Sequence, residues 1–164
     1  MSDSGVARVY DAGVPSGLDD SGGRAGPAPF RAPLRAEAGE AARVREELVA
    51  FLAASGLPAG AAGDLALALA EALDNVIEHA LAGKPGEEIL VEAAVEGDGV
   101  RLEVRDRGPA FDPTTAPDPS PVPPEERRFG GFGLRLVRAL VDEMRYERRE
   151  GENRLLLLKR WSGP

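Results

Sequence analysis

Residues 64–81 read DLALALAEALDNVIEHAL, which is the longest periodic segment of the sequence. At 100° per residue this segment forms a helix with one apolar side, made of Leu69, Leu73, Val76 and Ala80. Glu71 and Asn75 lie on the opposite side, one turn apart. Such a pair is common on a solvated helix face. It also has a chemical use, because an amide oxygen suits Mg²⁺ and a nearby carboxylate can accept a proton.

A second motif, DRGPAFDP, occupies residues 106–113 and follows a strand predicted for Val100 to Asp106. A carboxylate at the end of a strand can accept a hydrogen bond from an exocyclic amine. Gly108 would let a flat ring approach the backbone closely. Asp-x-Gly is equally ordinary turn chemistry, so these residues by themselves indicate either a turn or a base-binding position.

A third motif, GGFGL, occupies residues 130–134 and opens a predicted helix. Amide groups at a helix N-terminus, together with the positive end of the helix dipole, attract phosphate. Gly130, Gly131 and Gly133 would expose such amides. The motif is not a P-loop, because no Lys-Ser or Lys-Thr follows it, and a merely flexible helix entrance is the alternative.

The remaining segments predict a single α/β domain over residues 30–164. Apolar spacing and turn residues indicate an edge strand, a helix, a central hairpin, a further helix and a final hairpin around residues 151–153; the segments are Phe30–Leu34, Gly39–Ala54, Ile89–Val95 with Val100–Asp106, Phe132–Met144, and Tyr146–Arg149 with Arg154–Trp161. Along the chain, helices come first and strands follow. This order predicts a two-layer sandwich with a mixed, largely antiparallel sheet and helices on one face.

Two segments are unlike the rest of the domain in composition. Residues 1–29 contain six Gly and three Pro with little apolar periodicity, which predicts a disordered tail. Six prolines lie between Pro113 and Pro124, and proline removes backbone donors. Long loops without regular structure are often functional, so we expect a lid over residues 113–129.

Composition excludes several classes of function. The net charge of −8 would repel a nucleic-acid backbone. Cysteine is absent and His79 is the single histidine, which rules out thiolate zinc sites, cysteine nucleophiles and His-dependent triads. We interpret His79 as a helix-end or packing residue. No apolar run reaches the roughly 20 residues of a membrane span and no signal peptide is apparent, so we expect a cytoplasmic protein without a membrane partner.

Taken in order, the three motifs resemble the Bergerat ATP-binding fold of the superfamily that includes histidine kinases, heat-shock ATPases and gyrase. The segment LAEALDNVIEHA (residues 69–80) is most similar to the bacterial anti-sigma-factor serine kinases. The resemblance covers about residues 30–161. It implies that Asn75 binds Mg²⁺, that Glu71 is the general base, and that Asp106 contacts the adenine amine of ATP beside Gly108. It also implies that Gly130, Gly131 and Gly133 line the phosphates.

This resemblance further implies an ATP- and Mg²⁺-dependent serine/threonine kinase that is also an anti-sigma factor. Its partners would be an anti-sigma-factor antagonist, which it phosphorylates, a sigma factor, and a second copy in a homodimer. The alternative is a non-catalytic ATP-binding module that sequesters a regulator, but binding alone does not need the base Glu71. A histidine-kinase catalytic domain is less favoured, since no separate helix carries a phosphoacceptor histidine.

Overall fold

The computed structural model describes residues 27–37, 39–81, 84, 86–115 and 133–161. The tail expected over residues 1–29 and the lid expected over residues 113–129 fall almost entirely outside these ranges. Both therefore remain predictions. Among the described residues, the helices are too short or too polar to cross a membrane.

The described residues form a two-layer α/β fold, which confirms the predicted class. Its elements in chain order are β1 (Phe30–Arg35), α1 (Glu40–Ala54), α2 (Ala59–Asn75), a π-helical turn (Val76–Ala80), β2 (Glu88–Glu96), β3 (Gly99–Asp106), α3 (Gly133–Leu140), β4 (Glu143–Arg149) and β5 (Glu152–Arg160). The sheet order is β1-β2-β3-β5-β4. All four described strand pairs are antiparallel, so the part of the sheet seen here is antiparallel rather than mixed.

The core lies between the helices and one face of the sheet. Alternation along the strands sends every second side chain inward, and the buried set includes Ile89, Val91, Leu102, Val104 and Leu157. The apolar spacing of α1 predicts that Val44, Leu48, Phe51 and Leu52 share one side; Val44, Leu48 and Leu52 are fully buried and Phe51 is partly buried against the core, which confirms it. The stripe of α2 is also confirmed at Leu69, Leu73 and Val76. Pro33 lies on the edge strand β1, as expected for a residue without a backbone donor.

The boundaries of α2 differ from the prediction at both ends. The helix begins at Ala59 rather than Asp64, where small residues give no apolar period to read. It ends as an α-helix at Asn75, and the following turn is π-helical. There the Leu81 amide donates to the Val76 carbonyl at 2.9 Å, the i to i−5 bond of a π turn. The prediction of one α-helix from Asp64 to Leu81 was therefore wrong at its edges.

Two further boundaries were wrong, the first because of an accidental match of spacing and the second because turn-type residues continue into the strand. Met144 continues the helical period of α3, but α3 ends at Leu140 and Met144 lies in β4 opposite Leu157. Asn153 was expected in the final turn. The turn is instead formed by Glu150 and Gly151, with φ of 53° and 80°, and Asn153 lies within β5.

The other face of the sheet carries ion pairs. Glu103, only 8% exposed, binds Arg101 at 3.0 Å and Arg105 at 2.6 Å. Burial lowers the pKa of Arg105, but its hydrogen bond to Glu103 and the attraction of neighbouring carboxylates outweigh this and raise the pKa above its ordinary value. Because each buried charge is paired, this face is polar without leaving an isolated charge in the sheet.

Candidate functional site

The start of α3 lies against the polar side of α2. Glu71 is half-buried there, and a Cβ placed on Gly133 would lie 2.5 Å from its Oε2 atom and 3.6 Å from its Cδ atom. The first of these distances is too short for a non-bonded contact. A glycine at position 133 thus allows the carboxylate of Glu71 to reach the helix entrance. The structure brings these two predicted site residues together across a separation of 62 positions in the chain (133 − 71 = 62).

Asn75 lies one turn after Glu71, at the junction with the π-helical turn. It is the last residue of α2 and is half-buried, whereas Glu78 on the same side is exposed. A simple solvated face would leave Glu71, Asn75 and Glu78 all exposed. Asn75 and Glu71 therefore lie on one partly buried side of α2, and Glu71 also meets the start of α3.

Asp106 terminates β3 and is only 6% exposed. Its Oδ1 atom accepts hydrogen bonds from the Gly108 amide and from Asn153 Nδ2, both at 2.8 Å. Among the described residues, none donates to Oδ2, and none of the fully buried side-chain polar atoms lacks a partner. The Oδ2 atom must therefore reach solvent. The carboxylate has one oxygen held by the protein and one open to a ligand.

Asn153 is a functional candidate that sequence reasoning missed. It is 5% exposed, and besides Asp106 its Nδ2 atom donates to the Pro109 carbonyl at 3.1 Å. Its Oδ1 atom accepts from the Tyr146 hydroxyl at 2.8 Å and from Arg148 at 2.6 Å. The signal was present in the sequence, since Asn153 is in step with the inward-facing Leu155 and Leu157. The adjacent turn residues concealed it.

The first residues of the predicted lid bond to one another and to α3. Asp112 Oδ1 accepts from the amide and the hydroxyl of Thr114, at 2.8 and 2.6 Å. Arg138 on α3 donates to the Pro113 carbonyl at 2.7 Å. The chain therefore leaves β3 in a fixed direction and passes beside α3. Gly130 and Gly131 lie outside the described residues, so their predicted contact with phosphate remains a prediction.

The described oxygen-bearing side chains of the site do not form a metal centre on their own. Across the described part of the chain, no three acidic or histidine side chains converge in a way that could hold one. Asn75 and Glu71 supply at most two oxygen-bearing groups. Mg²⁺ usually takes one or two protein ligands and completes its shell with water and substrate phosphates. These residues thus fit a magnesium–nucleotide complex and do not fit a metal site made of protein alone.

The two-layer fold is the one expected from the resemblance to the ATP-binding superfamily. A family model described as "Histidine kinase-like ATPase domain" matches residues 34–159. The chain belongs to that family. The resemblance to this superfamily that the three motifs predicted is confirmed.

Individual relatives are also similar to this chain. It is 33% identical over 93 residues to a serine-protein kinase RsbW of Oceanobacillus iheyensis, covering 54% of this chain and 59% of that protein. It is 35% identical over 96 residues to the serine/threonine-protein kinase BtrW of Bordetella bronchiseptica, covering 57% and 66%. The chain thus spans less than two thirds of the length of these relatives.

A solved structure extends the similarity over more of the fold. It contains the RsbU and RsbW domains of Rv1364c from Mycobacterium tuberculosis, and it superposes with a TM-score of 0.61 at 29% identity. The match covers 84% of this chain and 33% of that one. The similarity therefore includes most of the domain described above.

Proposed function

We propose that this chain binds ATP with Mg²⁺ and transfers the γ-phosphate to a serine or threonine of a protein partner. The observation that carries the proposal is the contact between Glu71 and the glycine entrance of α3. Phosphate binds at helix N-termini, and a base within reach of that position could accept the proton of an attacking hydroxyl. Glu71 has this position and Gly133 makes it possible.

Phosphoryl transfer needs mainly positioning and charge stabilisation from the protein. In this proposal, the amides at the start of α3, at Gly133 and at Gly130 and Gly131 before it, bind the phosphates. The Asn75 side-chain oxygen holds Mg²⁺, which neutralises charge on the phosphates when the nucleotide is bound. Glu71 accepts the hydroxyl proton. Glu71 and Asn75 belong to α2 and Gly133 to α3, so the described part of the reacting end is helical.

Asp106 and Gly108 form the base-binding end of the proposed site. The open Oδ2 atom of Asp106 accepts a hydrogen bond from the adenine amine, and Gly108 lies beside the ring. Guanine carries an oxygen at the corresponding position, so two acceptors would face each other. We therefore expect ATP to bind more tightly than GTP.

The proposed protein substrate is an anti-sigma-factor antagonist, with a sigma factor and a second copy of the chain as further partners. Support comes from the motif resemblance and from relatives whose names are serine-protein kinase or serine/threonine-protein kinase. The negative charge of the chain disfavours a nucleic-acid partner. The partner is therefore a protein in this proposal, and its acceptor residue is a hydroxyl.

The test is transfer of radiolabelled phosphate from ATP to candidate antagonists, each compared with a version whose serines and threonines are replaced by alanine. The wild-type chain, Glu71→Gln and the matched control Glu78→Gln are compared in single-turnover reactions. Glu78 lies on the same helical segment but is exposed. We expect transfer by the wild type and the control, with little by Glu71→Gln. Equal transfer by all three would reject Glu71 as the base.

One observation favours the non-catalytic alternative. Among the described residues, none makes a hydrogen bond that would orient the Glu71 carboxylate, whereas catalytic groups are normally held in place. In that case ATP binding would alter partner affinity without labelling any antagonist. Measuring partner affinity with ATP and with a non-hydrolysable analogue distinguishes the kinase from the non-catalytic module. Equal affinities together with no transfer would favour the module.

A further inference from the structure

We propose that Asn153 is the positioning residue of the base-binding end, and that it sets the preference for adenine by fixing which oxygen of Asp106 meets the ligand. This inference rests on the proposed function, in which Asp106 accepts a hydrogen bond from the base. It adds a residue on β5 that lies 47 positions away in the chain. That residue acts through Asp106 and does not itself need to touch the nucleotide.

The orientation of the Asn153 amide is determined by its neighbours. On one side three oxygens surround Nδ2: Asp106 Oδ1 at 2.8 Å, the Pro109 carbonyl at 3.1 Å and the Gly108 carbonyl at 3.4 Å. On the other side the Tyr146 hydroxyl and the Arg148 guanidinium donate to Oδ1. A reversed amide would place acceptor against acceptor and donor against donor. Asn153 therefore presents a donor to Asp106.

This fixed donor divides the two oxygens of Asp106 between two tasks. Oδ1 receives the Gly108 amide and Asn153 Nδ2, while Oδ2 stays open. Without the Asn153 bond only the Gly108 amide would hold Oδ1, so the carboxyl group would be held less firmly in the orientation that turns Oδ2 toward the ligand. A carboxylate with one acceptor fixed toward the base distinguishes a donor on adenine from an acceptor on guanine.

The same hydrogen bonds fix the position of the Gly108–Pro109 backbone beside the proposed base. Arg148 donates both to Asn153 and to the Gly108 carbonyl, at 2.6 and 3.0 Å. The Gly108–Pro109 backbone is thus held by the final hairpin as well as by Asp106. Since Tyr146 and Arg148 belong to β4, the outermost strand, the hairpin β4–β5 acts as the support of the base-binding end.

The experiment measures ATP and GTP affinity of the full chain by calorimetry for the wild type, Asn153→Asp and the control Arg149→Gln. Both substitutions lower the net charge by one, but Arg149 is an exposed residue at the end of β4. Asn153→Asp keeps the shape and the acceptor while removing the donor. We expect ATP affinity to fall about 10- to 100-fold and the ATP/GTP ratio to approach one. The control should match the wild type.

A pH series adds a readout that a purely structural role would not change. In Asn153→Asp the new carboxyl group faces Asp106 from β5, while Tyr146 and Arg148 face its other oxygen from β4. Two adjacent carboxylates raise the pKa of the pair, although the charge of Arg148 acts in the opposite direction. A proton held between the carboxyls replaces the lost donor. ATP affinity relative to wild type should therefore recover as pH falls and decline as pH rises.

Tyr146→Phe provides a second variant in case the first does not fold. It removes one donor to Asn153 and leaves Asp106 intact, so the ATP/GTP ratio should fall about 2- to 10-fold. Unchanged ratios in both variants, or equal losses for ATP and GTP with no recovery at low pH, would overturn the positioning role. Failure of the wild type to bind ATP would instead overturn the proposed function on which the inference rests.

Discussion

The strand end and the helical end of the candidate site are held in different ways. At the strand end, Asp106 is fixed by two hydrogen bonds to Oδ1, and Asn153 links it to β4. At the helical end, Glu71 approaches Gly133 without a hydrogen bond among the described residues. Hydrogen-bonded networks are rigid and costly to break, whereas a packed carboxylate can move. Changes at the first end should therefore affect folding and binding, and changes at the second mainly chemistry.

The largest expected effect is at the helical end. Glu71→Gln should reduce phosphate transfer by about 10²- to 10⁴-fold while leaving ATP affinity and the free energy of unfolding close to wild type. The amide keeps the size of the side chain but cannot accept the proton. Single-turnover transfer and urea unfolding of the same preparation measure both quantities. A large loss of stability would show that Glu71, like Asp106, makes interactions that stabilise the fold.

Gly133→Ala should displace the Glu71 carboxylate, because the added methyl group would lie 2.5 Å from Oε2. The displaced atom is the end of a flexible side chain, so the fold should persist. A misplacement of about 1 Å can cost roughly 10²-fold in rate, and we expect a loss of that order in transfer.

The matched control for this variant is Gly60→Ala, in the first turn of α2, where a Cβ meets no atom within 4 Å. It should keep the transfer rate and gain about 0.4–1 kcal/mol in stability. If Gly133→Ala transfers phosphate as fast as Gly60→Ala, the contact between Glu71 and α3 has no part in the chemistry.

Asn75→Ala should weaken the dependence of nucleotide binding on Mg²⁺. Outer-shell changes already cost about 10- to 100-fold in metal affinity, and loss of a direct ligand should cost at least the lower of these values. Calorimetric titration of ATP with Mg²⁺ and with a chelator gives the two affinities. We expect the difference between them to shrink in the variant while the affinity in chelator stays the same. A full Mg²⁺ effect in Asn75→Ala would place the metal ligand elsewhere.

The smallest expected effect is at the strand end. It is a change in the free energy of unfolding, measured without any ligand. Asp106→Ala leaves the Gly108 amide without its acceptor and removes one from Asn153. This should lower the free energy of unfolding by about 1–3 kcal/mol. Asp74→Ala, an exposed position on α2, should change it by less than about 0.5 kcal/mol. If the two variants lose similar free energies of unfolding, the hydrogen bonds of Asp106 do not hold the strand end in place.

Much of the fold could be predicted from hydrophobic spacing. The buried sides of α1 and α2 and the central hairpin follow from periods of 3.6 and 2.0 residues, and the structure places Leu48, Leu73 and Leu102 inside. Prediction was wrong where spacing carried no information or matched the wrong element by accident. The first turn of α2 consists of small residues, and Met144 matches the period of a helix while lying in a strand.

The same division applies to the candidate site. Glu71, Asn75 and Asp106 were identifiable from residue type and order, because each motif needs its own chemistry at a fixed local spacing. Asn153 was not, since its importance depends on lying opposite Asp106 in the register of β3 and β5. Nothing within a few residues of Asn153 indicates that neighbour.

The sequence by itself determined the class of fold, the family and the groups available for chemistry, because local periodicity and composition are set by neighbouring residues. Only the tertiary structure decided which of those groups meet. The approach of Gly133 to Glu71 depends on how α3 packs on α2, and the hydrogen bond from Asn153 to Asp106 depends on strand register. Such long-range contacts are fixed by burial of the whole core, which no short stretch of sequence contains.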